Sequence, residues 1–118
     1  MFTITKQFYF SASHTLDTLP DDHPCTRLHG HNYIVEIVLQ SDKLDEHGFV
    51  VDYLALKPLK DYIDSELDHR HLNDIFPFPT SAENIAQHLY RWAKQRWKQV
   101  SAVCVSETAK TWAEFKDE

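Results

Sequence analysis

The chain is poor in glycine and cysteine, with two of each: Gly30 and Gly48, Cys25 and Cys104. Both glycines fall in or beside turns, and no repeat, low-complexity tract or linker interrupts the sequence. Two cysteines in different settings argue against a disulfide framework of the kind that staples small secreted domains. No apolar run is long enough to cross a bilayer, so no membrane role is expected. The first residues, Met1 to Lys6, lack the charged-then-apolar layout of a signal peptide, and a cytoplasmic protein is expected. Lysine and arginine form no cluster, and the formal net charge is −6. A nucleic-acid surface needs concentrated positive charge, so no nucleic-acid partner is expected. An anionic small substrate stays open if a metal and a few local cations supply the field.

What is present suits one globular domain over residues 1–118, with 42% hydrophobic and 25% charged residues. Residues 2–14 are rich in Phe, Tyr, Ile and Thr and read as a strand. A polar turn follows, and residues 31–41 read as a second strand in which Tyr33, Val35, Ile37 and Leu39 alternate onto one face. Asp52 can cap a helix whose Leu56, Leu59, Ile63 and Leu67 share one side. Pro58 is tolerable there only near the first turn. Residues 68–79 read as irregular. Thr80-Ser81-Ala82-Glu83 then reads as a capping box, with the threonine as cap, ahead of a long helix that turns Ile85, Ala86, Leu89, Ala93 and Trp97 inward. Residues 100–107 and 110–115 close the chain as strands. The order ββααββ predicts an α+β fold, a four-stranded antiparallel sheet with two helices on one face. Apolar residues occur on both faces of the first two strands, so the uncovered face is expected to meet another subunit.

Eight histidines in so short a chain exceed what a core requires, and their grouping is informative. His29-Gly30-His31 puts two imidazoles on one face of an extended segment, where they can converge on one ion while Gly30 lets the backbone approach closely. His14 ends the first strand and is either the third ligand or a satisfied core histidine. Three histidines leave a fourth position for water or substrate, the layout of a catalytic zinc site. Cys25, four residues before His29, is either a fourth ligand closing a structural site or a free thiolate beside the metal and Arg27. His69-Arg70-His71 is a second His-x-His. With Asp68 it offers either a rival metal site, a proton-transfer pair, or a polar loop at a helix end. Glu107, late in an apolar strand, is either at an exposed end or held for a ligand. Asp52 and Glu83 are explained by capping. Cys104 alternates with valines and reads as a small buried apolar residue.

Several segments together resemble the family of 6-pyruvoyl- and 6-carboxy-tetrahydropterin synthases. They are Phe10-Ser11-Ala12-Ser13-His14, Cys25 through Tyr33, Val51-Asp52-Tyr53, Leu67 through Asn73, Pro79 through Asn84, and Val105-Ser106-Glu107-Thr108. They run in family order over nearly the whole chain. The resemblance implies that His14, His29 and His31 bind Zn2+, and that Cys25, Asp68 and His69 form the catalytic triad, with Cys25 from one subunit and the Asp-His pair from its neighbour. It implies that Glu107 anchors a pterin ring and that Thr80 and Ser81 line its pocket; Arg27, a local cation beside this site, is expected to contact phosphate. The implied fold is the tunnelling fold, in which subunit sheets join into a barrel as a trimer or two stacked trimers. The implied substrate is 7,8-dihydroneopterin triphosphate. A carboxy-type reaction would release acetaldehyde and triphosphate and feed queuosine synthesis, whereas a pyruvoyl-type reaction eliminates triphosphate only. The short chain looks more like the bacterial carboxy type. A reading of another class is a non-catalytic zinc-binding oligomer, with Cys25 closing the metal site.

Overall fold

A computed structural model describes residues 1–117. Strand β1 (Phe2–His14) pairs antiparallel with β2 (His29–Ser41) along its whole length, from Phe2 opposite Ser41 to His14 opposite His29. Strand β4 (Val100–Thr108) lies antiparallel beyond β2, and β5 (Thr111–Phe115) beyond β4. The pattern Tyr33, Val35, Ile37, Leu39 is fully buried, as strict alternation requires of a strand with one covered face. β2 begins at His29, so the whole His-x-His motif is part of the ladder.

The sheet has five strands, not four, and is mixed, not wholly antiparallel. The order is β3-β1-β2-β4-β5, where β3 is Arg70–His71, running parallel to β1 opposite Ala12 and Ser13. Two residues are too few to show any periodicity. Arg70 and His71 are held extended by their pairing with β1, and the 2.7 Å bond from the His69 N–H to the Ser11 carbonyl brings the segment to that edge.

Helix α1 (Lys57–Tyr62) follows a tight turn at Tyr53–Leu56 that Asp52 caps through the Leu54 N–H at 2.9 Å. Pro58 sits in its first turn, where its missing N–H has no partner to lose. The helix widens to a π-type turn over Ile63–Leu67. Helix α2 spans Ala82–Lys94. Its cap is Ser81, whose Oγ accepts the Asn84 N–H at 3.2 Å, so the cap lies one residue after Thr80 and the expected box with Glu83 does not form; the Asn84 side chain donates to the Pro79 carbonyl at 2.9 Å instead. Thr80 is engaged by the sheet instead.

Leu56, Leu59, Ile63 and Leu67 of the first helical segment and Ile85, Ala86 and Leu89 of α2 form one core with Phe8, Phe10, Tyr33, Val35, Val103 and Val105 of the sheet. Each large side chain so buried contributes roughly 1.5–3 kcal/mol. Both helices therefore cover one face. The other face mixes Gln7, Ser11, Ser13, Asn32 and Glu36 with Ile34 and Val38, and leaves Tyr9 64% and Trp112 49% exposed. No described helix is long and apolar enough to cross a membrane.

Candidate active site

The β1–β2 register assembles three histidines at one end of the covered face. His14 pairs directly with His29, and His31 lies two residues along on the same side. The ring centroids are 4.5 Å apart for His14–His29, 5.0 Å for His14–His31 and 4.8 Å for His29–His31. One nitrogen from each ring lies within 4.8 Å of the others. Among the described residues this is the one group of three or more potential donors that converges.

The far side of two of these rings is tied down. His14 Nδ1 is 2.8 Å from the Thr80 carbonyl and His29 Nδ1 is 2.6 Å from the Arg27 carbonyl. A carbonyl only accepts, so both Nδ1 atoms carry the hydrogen and both Nε2 atoms carry the lone pair. His14 is fully buried, and His14 Nε2 and His31 Nε2 are buried without a partner. Burying such atoms costs about 1–3 kcal/mol each, and nothing in the protomer's own packing offsets it. Burial is the main cause that pushes both His14 and His31 below the usual histidine range, against the Thr80 carbonyl and Glu107 respectively. Neutral imidazoles with converging lone pairs and carbonyl-anchored backs are what a transition-metal ion needs. The donor set fits zinc.

Gly30 is not demanded by close packing. An added Cβ would lie 3.4 Å from the Ala12 carbonyl, an ordinary contact.

Glu107, at the end of β4, brings Oε2 to 3.6 Å from His31 Nε2 and keeps its side chain 24% exposed. That is too long for a hydrogen bond, so the carboxylate is near the cluster and free to accept from a ligand. Tyr33 lies under His31, with its ring stacked on Phe10 at 4.7 Å and its hydroxyl buried without a partner. Burial and the Glu107 charge push that phenol up.

Asp68 and His69 form a separate pair at the β1 edge. Asp68 Oδ1 accepts the Ser11 N–H at 2.9 Å, and Oδ2 lies 2.9 Å from His69 Nδ1. The Ser11 bond, then His69, holds the carboxyl below the usual carboxylate range. The His69 side chain is 83% exposed, so its Nε2 faces outward. His69 also has φ +60°, a left-handed conformation that a non-glycine residue adopts only when its surroundings impose it. A carboxylate on Nδ1 and an open Nε2 is the arrangement of an acid–base imidazole. His71 turns elsewhere, with Nδ1 2.9 Å from Ser13 Oγ. The second His-x-His therefore does not converge on an ion.

Cys25 sits partly buried in the turn Pro24–Thr26, held by the Leu16 N–H on its carbonyl at 2.9 Å and by His23 Nδ1 on its N–H at 3.1 Å. It is not part of the histidine group. Cys104 is half-buried rather than enclosed and faces away from the helices, 3.6 Å from Glu114. Burial and that carboxylate push its thiol up to about 11, so it stays protonated. Arg27 is exposed, and its carbonyl rather than its guanidinium serves the cluster. Thr80 is fully buried against His14, and the Ser81 hydroxyl is occupied in capping α2. Sequence reasoning missed the carbonyls of Arg27 and Thr80, which carry no side-chain signal.

A family model described as 6-pyruvoyl tetrahydropterin synthase matches residues 3–118. The chain belongs to that family. A relative from Archaeoglobus fulgidus, named putative 6-carboxy-5,6,7,8-tetrahydropterin synthase, is 35% identical over 91% of this chain and 89% of its own. One from Bacillus subtilis, named 6-carboxy-5,6,7,8-tetrahydropterin synthase, is 37% identical over 62% of this chain and 47% of its own. One from Pyrococcus furiosus, named dihydroneopterin monophosphate aldolase, is 46% identical over 50% of this chain and 49% of its own. The solved structure of Caenorhabditis elegans 6-pyruvoyl tetrahydropterin synthase superposes with a TM-score of 0.86 at 25% identity, covering 99% of this chain and 96% of that one.

Proposed function

We propose that the chain is a zinc-dependent carbon–carbon lyase, a 6-carboxy-5,6,7,8-tetrahydropterin synthase. It converts 7,8-dihydroneopterin triphosphate and water to 6-carboxy-5,6,7,8-tetrahydropterin, acetaldehyde and triphosphate, on the route to queuosine. The observation that carries this reading is the convergence of His14, His29 and His31, with two buried Nε2 atoms lacking partners, on a scaffold of this family. The carboxy-type name of the relative matched over 91% of the chain supports the choice of reaction.

In this reading the three histidines hold Zn2+ through Nε2. When bound, zinc supplies the positive charge that stabilises negative charge on the side-chain oxygens of the pterin. Glu107 accepts from the pterin N–H groups and Arg27 meets the phosphates, while Thr80, buried behind His14, and Ser81, held at the cap of α2, act on the pocket through the main chain they fix. The Cys25 thiolate takes a proton from the activated side-chain carbon. His69 Nε2 gives and takes protons at the side-chain hydroxyls, while Asp68 accepts from Nδ1 and stabilises the charged ring. The Asp68–His69 pair belongs to the β3–β1 edge, whereas Glu107 lies on β4 across β2. That separation supports the reading in which the pair serves the site of a neighbouring copy. The working form is a cytoplasmic homo-oligomer, a trimer or two stacked trimers whose sheets join into a barrel, with active sites at the interfaces.

Two other reactions share this chemistry. A 6-pyruvoyl synthase would eliminate triphosphate without breaking a carbon–carbon bond. An aldolase acting on dihydroneopterin monophosphate is favoured by the 46% identity over half of the chain. The test is to incubate the zinc-loaded protein with the triphosphate and with the monophosphate, following acetaldehyde, triphosphate and, by chromatography, the pterin consumed and formed. Acetaldehyde from the triphosphate is expected. Pyruvoyl product without acetaldehyde, or turnover of the monophosphate alone, overturns the choice. In parallel, Cys25→Ala should abolish turnover and retain zinc. Loss of zinc would instead favour a non-catalytic oligomer in which Cys25 closes the site.

A further inference from the structure

β1 ends at His14, opposite the first residue of β2. Thr15, the next residue, has no strand partner, yet its amide and carbonyl both need one. Asn73 supplies them. Its Oδ1 accepts the Thr15 N–H at 2.9 Å and its Nδ2 donates to the Thr15 carbonyl at 2.9 Å. One side-chain amide thus imitates the backbone of a neighbouring strand and extends the ladder one residue past its end. Thr80 closes the other side, donating from Oγ1 to the Thr15 carbonyl at 3.4 Å while Oγ1 lies 3.1 Å from His14 Nδ1.

Asn73 is also the last of three ties between one segment and alternate residues of β1 and its continuation, Ser11, Ser13 and Thr15. Asp68 and His69 bind the backbone of Ser11, His71 meets the Ser13 hydroxyl, and Asn73 clasps Thr15. The fully buried Leu72 anchors the segment from below. The span that carries the acid–base pair is therefore stapled, in register, to the strand that carries His14.

We propose that Asn73 is a positioning residue for the metal centre. Its amide, with Thr80, holds the end of β1 so that His14 Nε2 meets His29 and His31, and it ties the Asp68–His69 segment to that same point. The inference rests on the metal reading above. Without the clasp His14 becomes the last residue of a strand with a free end, and its imidazole loses the fixed backbone that aims it.

The test is zinc affinity of the full-length protein, by competition with a chromogenic chelator, together with the visible spectrum of the cobalt-substituted form. Asn73→Ala removes both bonds and should weaken zinc binding about tenfold, the lower end of what losing a direct partner of a ligand costs, since Asn73 acts through Thr15 and Thr80 stays on His14, and it should broaden the cobalt bands. Asn73→Asp keeps the acceptor for the Thr15 N–H, sets a carboxylate against the Thr15 carbonyl, and should also weaken zinc at least severalfold. It carries the test if the alanine variant does not fold. Ile37→Val, a core change in the middle of β2 opposite Lys6 and far along the ladder from the His14–His29 pair, should lower stability and leave zinc affinity unchanged, which separates positioning from general loosening. His29→Ala should abolish tight binding. If His29→Ala fails as expected while both Asn73 variants bind zinc within twofold of the natural chain, the positioning role is overturned. If His29→Ala itself binds zinc like the natural chain, the metal reading has failed instead.

Discussion

Replacing His69 separates the stability of this fold from its chemistry. His69 holds φ +60°, and for an L-residue the left-handed region costs roughly 1–2 kcal/mol. Glycine avoids that cost but brings an unfolded-state entropy penalty of roughly 0.4–1 kcal/mol relative to alanine. Both His69→Ala and His69→Gly lose the Asp68 contact, so it cancels between them. Both keep the His69 N–H bond to the Ser11 carbonyl. The difference left is backbone strain. His69→Gly should therefore be about 0.5–1 kcal/mol more stable than His69→Ala, or about 2–5 °C in melting temperature for a domain of this size. Urea denaturation read by tryptophan fluorescence measures it, because Trp92 and Trp97 pack on the core. Turnover should move differently. Removing a positioned acid–base group costs roughly 100- to 10,000-fold, and both variants should fall by that order. If the alanine variant equals or exceeds the glycine variant in stability, the strain argument fails. If either keeps turnover within tenfold of the natural chain, His69 is not the proton-transfer group.

Two further outcomes follow from the packing. His88 donates or accepts at the Tyr62 hydroxyl at 2.8 Å and is enclosed by Phe76 and Phe78, and burial pushes it below the usual histidine range. The unfolded chain then takes up a proton at this residue near pH 6.5 while the folded one still resists, so stability is full above about pH 6.5 and falls as pH drops below it. At fixed metal content, His88→Gln should show a smaller drop in melting temperature between pH 7.5 and 5.5 (about one unit either side of the usual histidine value); equal drops would refute this. At the start of α2, Ser81→Ala should cost about 1 kcal/mol and Ser81→Asp little, measured by chemical denaturation. A cost at Ser81→Ala indistinguishable from zero would mean that Ser81 is not the cap.

Much of this was legible because it is local. A strand alternates with period two, so His29 and His31 share a face wherever the strand is placed, and Tyr33, Val35, Ile37 and Leu39 follow by the same rule. The helical spacing of Leu56, Leu59, Ile63 and Leu67 is equally local. β3 was not legible, since two residues carry no period and their extension comes from bonds to Ser11 and Ser13. The cap of α2 lies one residue later than residue type alone predicts, for a related reason. Thr80 and Ser81 are equally good caps by type, and Thr80 is withdrawn from that role by His14, a residue 66 positions away.

Residue type and backbone period are enough to say which side chains could do chemistry and which pairs of neighbours would point together. How His14 joins His29 and His31 emerges only when the strands are assembled. That depends on the register between strands, on the Thr80 carbonyl that fixes its hydrogen on Nδ1, and on the Asn73 amide at the strand's end. That assembly alone also separates the two His-x-His motifs. The first converges because both rings face the covered side of a long ladder. The second diverges because Asp68 and Ser13 each hold one ring.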